Sequence, residues 1–194
     1  MKIGLYFGSF NPIHVGHCII ADYVANHTDL DQVWLVISPQ NPFKLSVSLL
    51  NEYHRLHLAQ LALADTPYIK ASDCEFHLPK PSYTVETLAF LTQKYPHHSF
   101  TIIMGSDSFQ NIMRWKNADA IIRNHKLLIY KRPGFEVDNT INANIEVIDA
   151  PLLEISATYI RELVIEKKSI KYLVHEKVEE EIERSRFYQL KKIP

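Results

Sequence analysis

The chain has 194 residues, 46% of them hydrophobic and 22% charged, with a formal net charge of −1. That length supports one domain with a real core, and that balance excludes a disordered chain and a general nucleic-acid-binding role. No apolar run approaches the roughly 20 residues that span a bilayer, and a strand pattern opens at residue 3, which leaves no room for a signal peptide. A cytoplasmic protein without a membrane partner is therefore expected.

In chain order, residues 3–7 form a buried strand pattern that breaks at Gly8-Ser9 and turns at Asn11-Pro12. Two histidines, His14 and His17, follow with Gly16 between them, and a helix is predicted over about 16–26. Residues 32–37 (QVWLVI) read as a second buried strand, followed by a Pro-punctuated loop over 38–48. Apolar residues at helical spacing (Leu49, Tyr53, Leu56, Ala59, Leu63) predict a helix over 49–64. A third strand is expected over 68–76, then a break at 79–81 and a helix capped by Ser82 running to about Lys94.

Residues 100–104 (FTIIM) end at Gly105 as a fourth strand, and Ser106 or Asp107 is expected to cap a short helix. A helical piece over 119–123, a strand over 126–130, a turn at Arg132-Pro133-Gly134 and a short strand over 145–148 come next. Ser156 then opens a helix over 157–165, and a charged helix over about 171–184 follows, with Val178 and Ile182 turned inward. This alternation predicts a single α/β domain over 1–194: a Rossmann-like, doubly wound, mostly parallel sheet with helices on both faces, with 156–194 as its C-terminal helical part. Cys18 and Cys74 have no metal-type spacing and read as small buried hydrophobes in a reducing compartment.

A strand, a glycine turn and a helix start can hold an anion through backbone N–H groups and the helix dipole. Residues i and i+3 share one side of a helical turn, so His14 and His17 can converge on one ligand. A transition metal wants three or four protein ligands, and no third His or Cys stands at a supporting spacing, so no metal site is expected. Phosphate is the favoured anion. Ser156, Thr158 and Arg161 repeat the pattern at a second helix start, with hydroxyls and a guanidinium suited to outer phosphates. In isolation that second set reads as a cap and a surface arginine. Gly8 and Gly105 mark two strand ends, and if strands one and four are neighbours both face one crevice.

The run GSFNPIHVGH resembles the H-x-G-H signature of a nucleotidyltransferase superfamily, and ISATYIR over 155–161 resembles its second signature, I-S-x-T-x-I-R. The two stand in order about 140 residues apart, each at a strand-to-helix junction, which makes the pair far more specific than either alone. PSYTVETL, IMGSD and Arg114-Trp115 are similar to the nicotinate-nucleotide adenylyltransferase branch, and the resemblance spans nearly the whole chain. It implies that ATP and nicotinate mononucleotide combine to give nicotinate adenine dinucleotide and pyrophosphate, with Mg²⁺ arriving on the ATP phosphates. It further implies that Trp115 stacks on the pyridine ring and that Tyr83 and Thr84 hold its carboxylate end. Lys44 matches the family's phosphate-bridging cation. Phe43 and Phe7 depart from a histidine and a glycine common in relatives.

On this reading His14, His17, Lys44 and Arg161 are the catalytic set. Gly8, Ser9, Phe10, Gly105, Asp107, Ser156 and Thr158 join His14, His17 and Arg161 around ATP. Ser9 and Lys44 also face the mononucleotide with Tyr83, Thr84 and Trp115. No Ser-His-Asp or Cys-His arrangement suits a covalent intermediate. The competing readings are the same chemistry on nicotinamide mononucleotide or phosphopantetheine, a non-catalytic nucleotide sensor, and a zinc-binding module at the histidine pair. A homo-oligomer is left open.

Overall fold

The computed structural model describes residues 1–40 and 49–189, so Phe43 and Lys44 lie outside the described residues. Six strands, β1 (Lys2–Gly8), β2 (Gln32–Ile37), β3 (Ile69–Ser72), β4 (Ser99–Gly105), β5 (Leu127–Tyr130) and β6 (Ile145–Ile148), form one sheet in the order β3-β2-β1-β4-β5-β6. Every pairing is parallel. The order reverses between β1 and β4, which are hydrogen-bonded neighbours from Lys2 opposite Ser99 to Tyr6 opposite Ile103. Gly8 and Gly105 therefore end adjacent strands at the switch point, as the glycine positions predicted.

Because both faces of a parallel sheet are covered, its inner strands are largely apolar, and side-chain alternation feeds two cores. Tyr6, Leu35, Ile103 and Leu128 point to one face, where they meet Ile20 and Val24 of α1 (Val15–His27), Leu58 of α2 (Glu52–Ala62), and α6 and α7 below. Leu5, Val36, Ile102 and Ile129 point to the other, against Leu88 and Leu91 of α3 (Thr84–Lys94) and Ile121 of α5 (Ala118–Asn124). A one-turn helix, α4 (Ser106–Phe109), follows β4 directly.

Several boundaries differ from the sequence expectation. The third strand stops at Ser72, and Cys74–His77 forms a 3₁₀ turn that buries Glu75. The helix expected from residue 49 starts at Glu52, capped by Asn51, whose side chain accepts the Tyr53 N–H at 2.9 Å. Its buried face is Arg55, Leu58 and Ala59, while Tyr53 is exposed. Ala59 and Leu63 of the expected stripe are buried and Leu56 packs against the core, while Arg55 and not Tyr53 takes the core position in the first turn. Tyr83, not Ser82, is the N-cap of α3, since the Ser82 hydroxyl donates instead to Glu75 at 2.6 Å. Gly105 caps α4, with the Ser106 hydroxyl turned to accept the Arg132 N–H at 2.8 Å.

The C-terminal part holds α6 (Ala157–Ile165) and α7 (Glu176–Arg184). Ser156 caps α6 as expected, accepting the Tyr159 N–H at 3.1 Å. The last helix starts at residue 176 and not near 171, where Lys171 makes an isolated bridge to Val174. Val178 and Ile182 are buried, and Ile160, Val178 and Ile182 join the core that contains Tyr6.

Candidate functional site

The turn after β1 is held in an uncommon backbone state. Phe10 has φ 44°, in the left-handed region that costs a bulky residue about 1–2 kcal/mol. Its ring is buried, 4.9 Å from the His17 ring and 5.7 Å from Tyr6, centroid to centroid. A side chain on Gly8 would meet that ring at 2.8 Å, so the strand end must be glycine for Phe10 to fold beneath it. Of the predicted Gly8–Phe10 contacts, the Phe10 side chain belongs to the core.

His14 is the N-cap of α1, and its backbone N–H donates to His17 Nδ1 at 3.2 Å. A neutral imidazole that accepts at Nδ1 carries its proton on Nε2, so His17 presents an Nε2–H donor. The two rings stack with centroids 3.7 Å apart. Burial, then the positive field of Arg132, pushes His14 down to about 4. Burial, His14 and Arg132, in that order, hold His17 well below its ordinary value. Both rings are thus neutral donors at pH 7. The helix start is less open than the sequence implied, because the Val15 N–H donates to the Leu173 carbonyl at 2.9 Å. The rings, more than the helix N-terminus, are what this end of α1 offers an anion.

Arg161 closes the arrangement. Its guanidinium donates to the Asn11 carbonyl at 2.7 Å and to Thr158 Oγ1 at 3.1 Å, so the second motif docks onto the loop that carries the first, 150 residues away. The Asn11 side chain ties in two further segments by accepting from the Leu50 N–H at 3.1 Å and the Tyr188 hydroxyl at 3.0 Å. Ser156 and Thr158 are exposed beside Arg161.

Across the switch point lies a cleft lined by Gly8, Ser38, Gly105, Tyr83, Thr84 and Trp115, with the Tyr6 and Tyr130 hydroxyls 3.3 Å apart in its wall. Of the predicted residues, Gly8, Gly105, Tyr83, Thr84 and Trp115 share this cleft. His14, His17, Ser156, Thr158 and Arg161 gather on the α1 and α6 side. Asp107 folds back over Gly105, where a side chain would collide with its Oδ1, and its carboxylate lies 3.4 Å from the Arg132 guanidinium. The Ser9 carbonyl points inward to Arg55 at 2.6 Å.

Three contributors escaped the sequence reading. Arg132, read only as part of a turn, follows the end of β5 and acts on both histidines. Its place just after the end of β5, the strand beside β4, was the available signal. Arg55 is fully buried, with its guanidinium on the carbonyls of Ser9, Ser38, Pro39 and Leu50 at 2.6–3.0 Å. Glu75 accepts hydrogen bonds from Ser82 at 2.6 Å and Thr87 at 2.8 Å, stitching the cleft wall to α3. Burial raises its pKa against those hydroxyls.

Among the described residues no group of three or more His, Cys, Asp or Glu could hold a metal ion. A glycine-ended switch point with a histidine pair on one side and an aromatic cleft on the other is a geometry for two anionic nucleotides. A cytidylyltransferase-like family model matches residues 5–163. A Cytophaga hutchinsonii protein described as a "probable nicotinate-nucleotide adenylyltransferase" is 52% identical, over 97% of this chain and 98% of its own length. A Flavobacterium psychrophilum protein with the same description is 50% identical over 97% and 100%. The chain belongs to the nicotinate-nucleotide adenylyltransferase family. The fold agrees with that of a solved family member, the Plasmodium falciparum nicotinic acid mononucleotide adenylyltransferase complexed with NaAD. Its TM-score is 0.82 at 23% identity, over 96% of this chain and 97% of that one.

Proposed function

We propose that this chain joins ATP and nicotinate mononucleotide into nicotinate adenine dinucleotide, releasing pyrophosphate, as a step of NAD biosynthesis. The observation that carries the reading is the Arg161–Asn11 hydrogen bond, which assembles the two phosphate motifs on one loop beside the aromatic cleft. The mononucleotide's phosphate oxygen attacks the α-phosphorus of ATP in line, the bond from that phosphorus to the bridging oxygen breaks, and pyrophosphate leaves. No enzyme nucleophile takes part. Catalysis rests on positioning two mutually repelling anions and on donors that tighten as charge builds.

His17, with its proton fixed on Nε2, and His14 serve the α-phosphate and bridging oxygens. Arg161, Ser156 and Thr158 hold the departing phosphates, and Lys44 bridges the two substrates. Gly8, Ser9, the Phe10 backbone, Gly105 and Asp107 border the adenosine half, while Trp115 stacks on the pyridine with Tyr83 and Thr84 at its substituted end. Mg²⁺ enters on the ATP phosphates; among the described residues no group of three or more His, Cys, Asp or Glu could hold an ion by itself.

Pyrophosphate release from ATP and Mg²⁺ with nicotinate mononucleotide, or with its amide, tests the reading. The acid is expected to be the better substrate, and release with neither defeats the assignment. Removing one transition-state donor costs on the order of 10²–10³ in turnover. His17→Ala is expected to lose at least that much with modest change in substrate binding, and near-normal turnover would overturn the role given to His17.

A further inference from the structure

The cleft carries a charge that neither motif contains. Among the described residues lining it, Lys116 is the one cationic side chain and Glu75 the one carboxyl. Lys116 follows Trp115 directly, and its ammonium lies 4.4 Å from the centre of the Tyr83 ring. It also donates to Glu86 Oε1 at 2.6 Å, in the first turn of α3, whose N-terminus no side chain caps. The ammonium thus stands at the side of the cleft where Tyr83 and Thr84 begin α3. Glu75 lies buried at the opposite extreme of exposure, with its oxygens engaged by Ser82 and Thr87.

The geometry points to Lys116 as a specificity-determining residue that favours a flat aromatic ring bearing a carboxylate over the same ring bearing a neutral amide. Tyr83 lines the same cleft as Trp115, and Lys116 lies over the Tyr83 ring, so the ammonium stands by the side of the cleft assigned to the substituted end of a ring stacked on Trp115. An ammonium has three donors, and Glu86 engages one, so donors remain for an incoming carboxylate. An amide oxygen accepts from the same ammonium but brings no charge, so the difference between the two ligands is electrostatic and open to screening. Glu86 sets the baseline by sharing the ammonium with the ligand. Removing Glu86's charge should therefore strengthen recognition of the acid, and removing Lys116's charge should weaken it.

This inference rests on the reading of the cleft as the pyridine site, and one assay separates their failures. Pyrophosphate release is followed with nicotinate mononucleotide and with nicotinamide mononucleotide for the unaltered protein, Lys116→Met, Lys116→Arg and Glu86→Gln, at low and high salt. Lys116→Met is expected to raise the KM for the acid by about 5- to 30-fold, between the range of an exposed pair and that of a charge-assisted hydrogen bond, and to move the KM for the amide far less. Lys116→Arg should keep most of the discrimination, and Glu86→Gln should lower the KM for the acid. High salt should shrink the acid preference of the unaltered protein and leave that of Lys116→Met in place. Equal shifts for acid and amide, or no shift, in Lys116→Met overturn the role. If Lys116→Met does not fold, a rise in the acid's KM in Glu86→Gln, or a salt-independent preference, overturns it as well. An unaltered protein that uses neither mononucleotide removes the pyridine reading itself, and this inference with it, before any variant is compared.

Discussion

At the scale of single residues, burial sets the charge state of the histidine pair. Neutral rings donate hydrogen bonds without competing for protons near pH 7, and burial is the chief reason both are neutral. An ordinary histidine limb near pH 6.5 should therefore be missing from the acid side of the kcat/KM profile, which reports the free enzyme. Apart from the titration of the substrates' own phosphates at about pH 6, which histidine variants retain, no histidine limb is expected until pH falls toward the His14 value of about 4. A clear limb near pH 6.5 that disappears in the histidine variants would contradict this. Stability follows the same groups. The unfolded rings titrate near 6.5 and the folded ones lower, so the unfolded state binds more protons between those values. The contribution is whole above about pH 6.5 and is lost as pH falls toward the folded values, which a series of melting curves measures.

Polar hubs join the elements around the site. Arg55, inside α2, fastens the loop after β1 through Ser9, the loop after β2 through Ser38 and Pro39, and the start of its own helix through Leu50. Burial lowers its pKa, yet a guanidinium stays charged, and its planar fork reaches carbonyls in several directions. Arg55→Met leaves those acceptors without donors and is expected to cost about 3–5 kcal/mol of stability. Arg55→Lys should recover little, since a single ammonium cannot span the four carbonyls. Urea unfolding measures both, and a loss under about 1 kcal/mol for Arg55→Met would show that the hub is dispensable. The elements also show where sequence patterns mislead. Tyr53 carried the apolar stripe of α2 on paper but faces solvent, because Arg55 takes the core position two residues on.

For the whole molecule, the sheet separates two cores, and the C-terminal helices complete the one on the histidine side. The Val15–Leu173, Asn11–Arg161 and Asn11–Tyr188 hydrogen bonds tie that part to the first loop. Residues 156–189 are therefore expected to unfold with the rest. Trp34 and Trp115 pack against the other core, so their fluorescence reports one face while far-UV circular dichroism reports all helices. The two transitions should coincide in urea. An earlier loss of helix, before any change in fluorescence, would mark the C-terminal part as a separate unit.

The sequence by itself determined the alternating elements, the parallel sheet and the helix starts at His14 and Ser156, because these rest on local periodicity, glycine placement and capping. Ser156, His14, His17 and Arg161 were legible for that reason, and so was the crevice between Gly8 and Gly105. Tertiary structure alone decided the rest. Arg55, Glu75 and Arg132 act through partners distant in the chain, and no local pattern distinguishes a buried arginine from a solvated one. The same holds for the opening loop. Its sequence promised an anion cradle built from a helix N-terminus, but Leu173 takes the first N–H, so the hydrogen bond that fixes His17's proton on Nε2 makes the rings the donors. Which donors face a ligand depends on what the far end of the chain has already engaged.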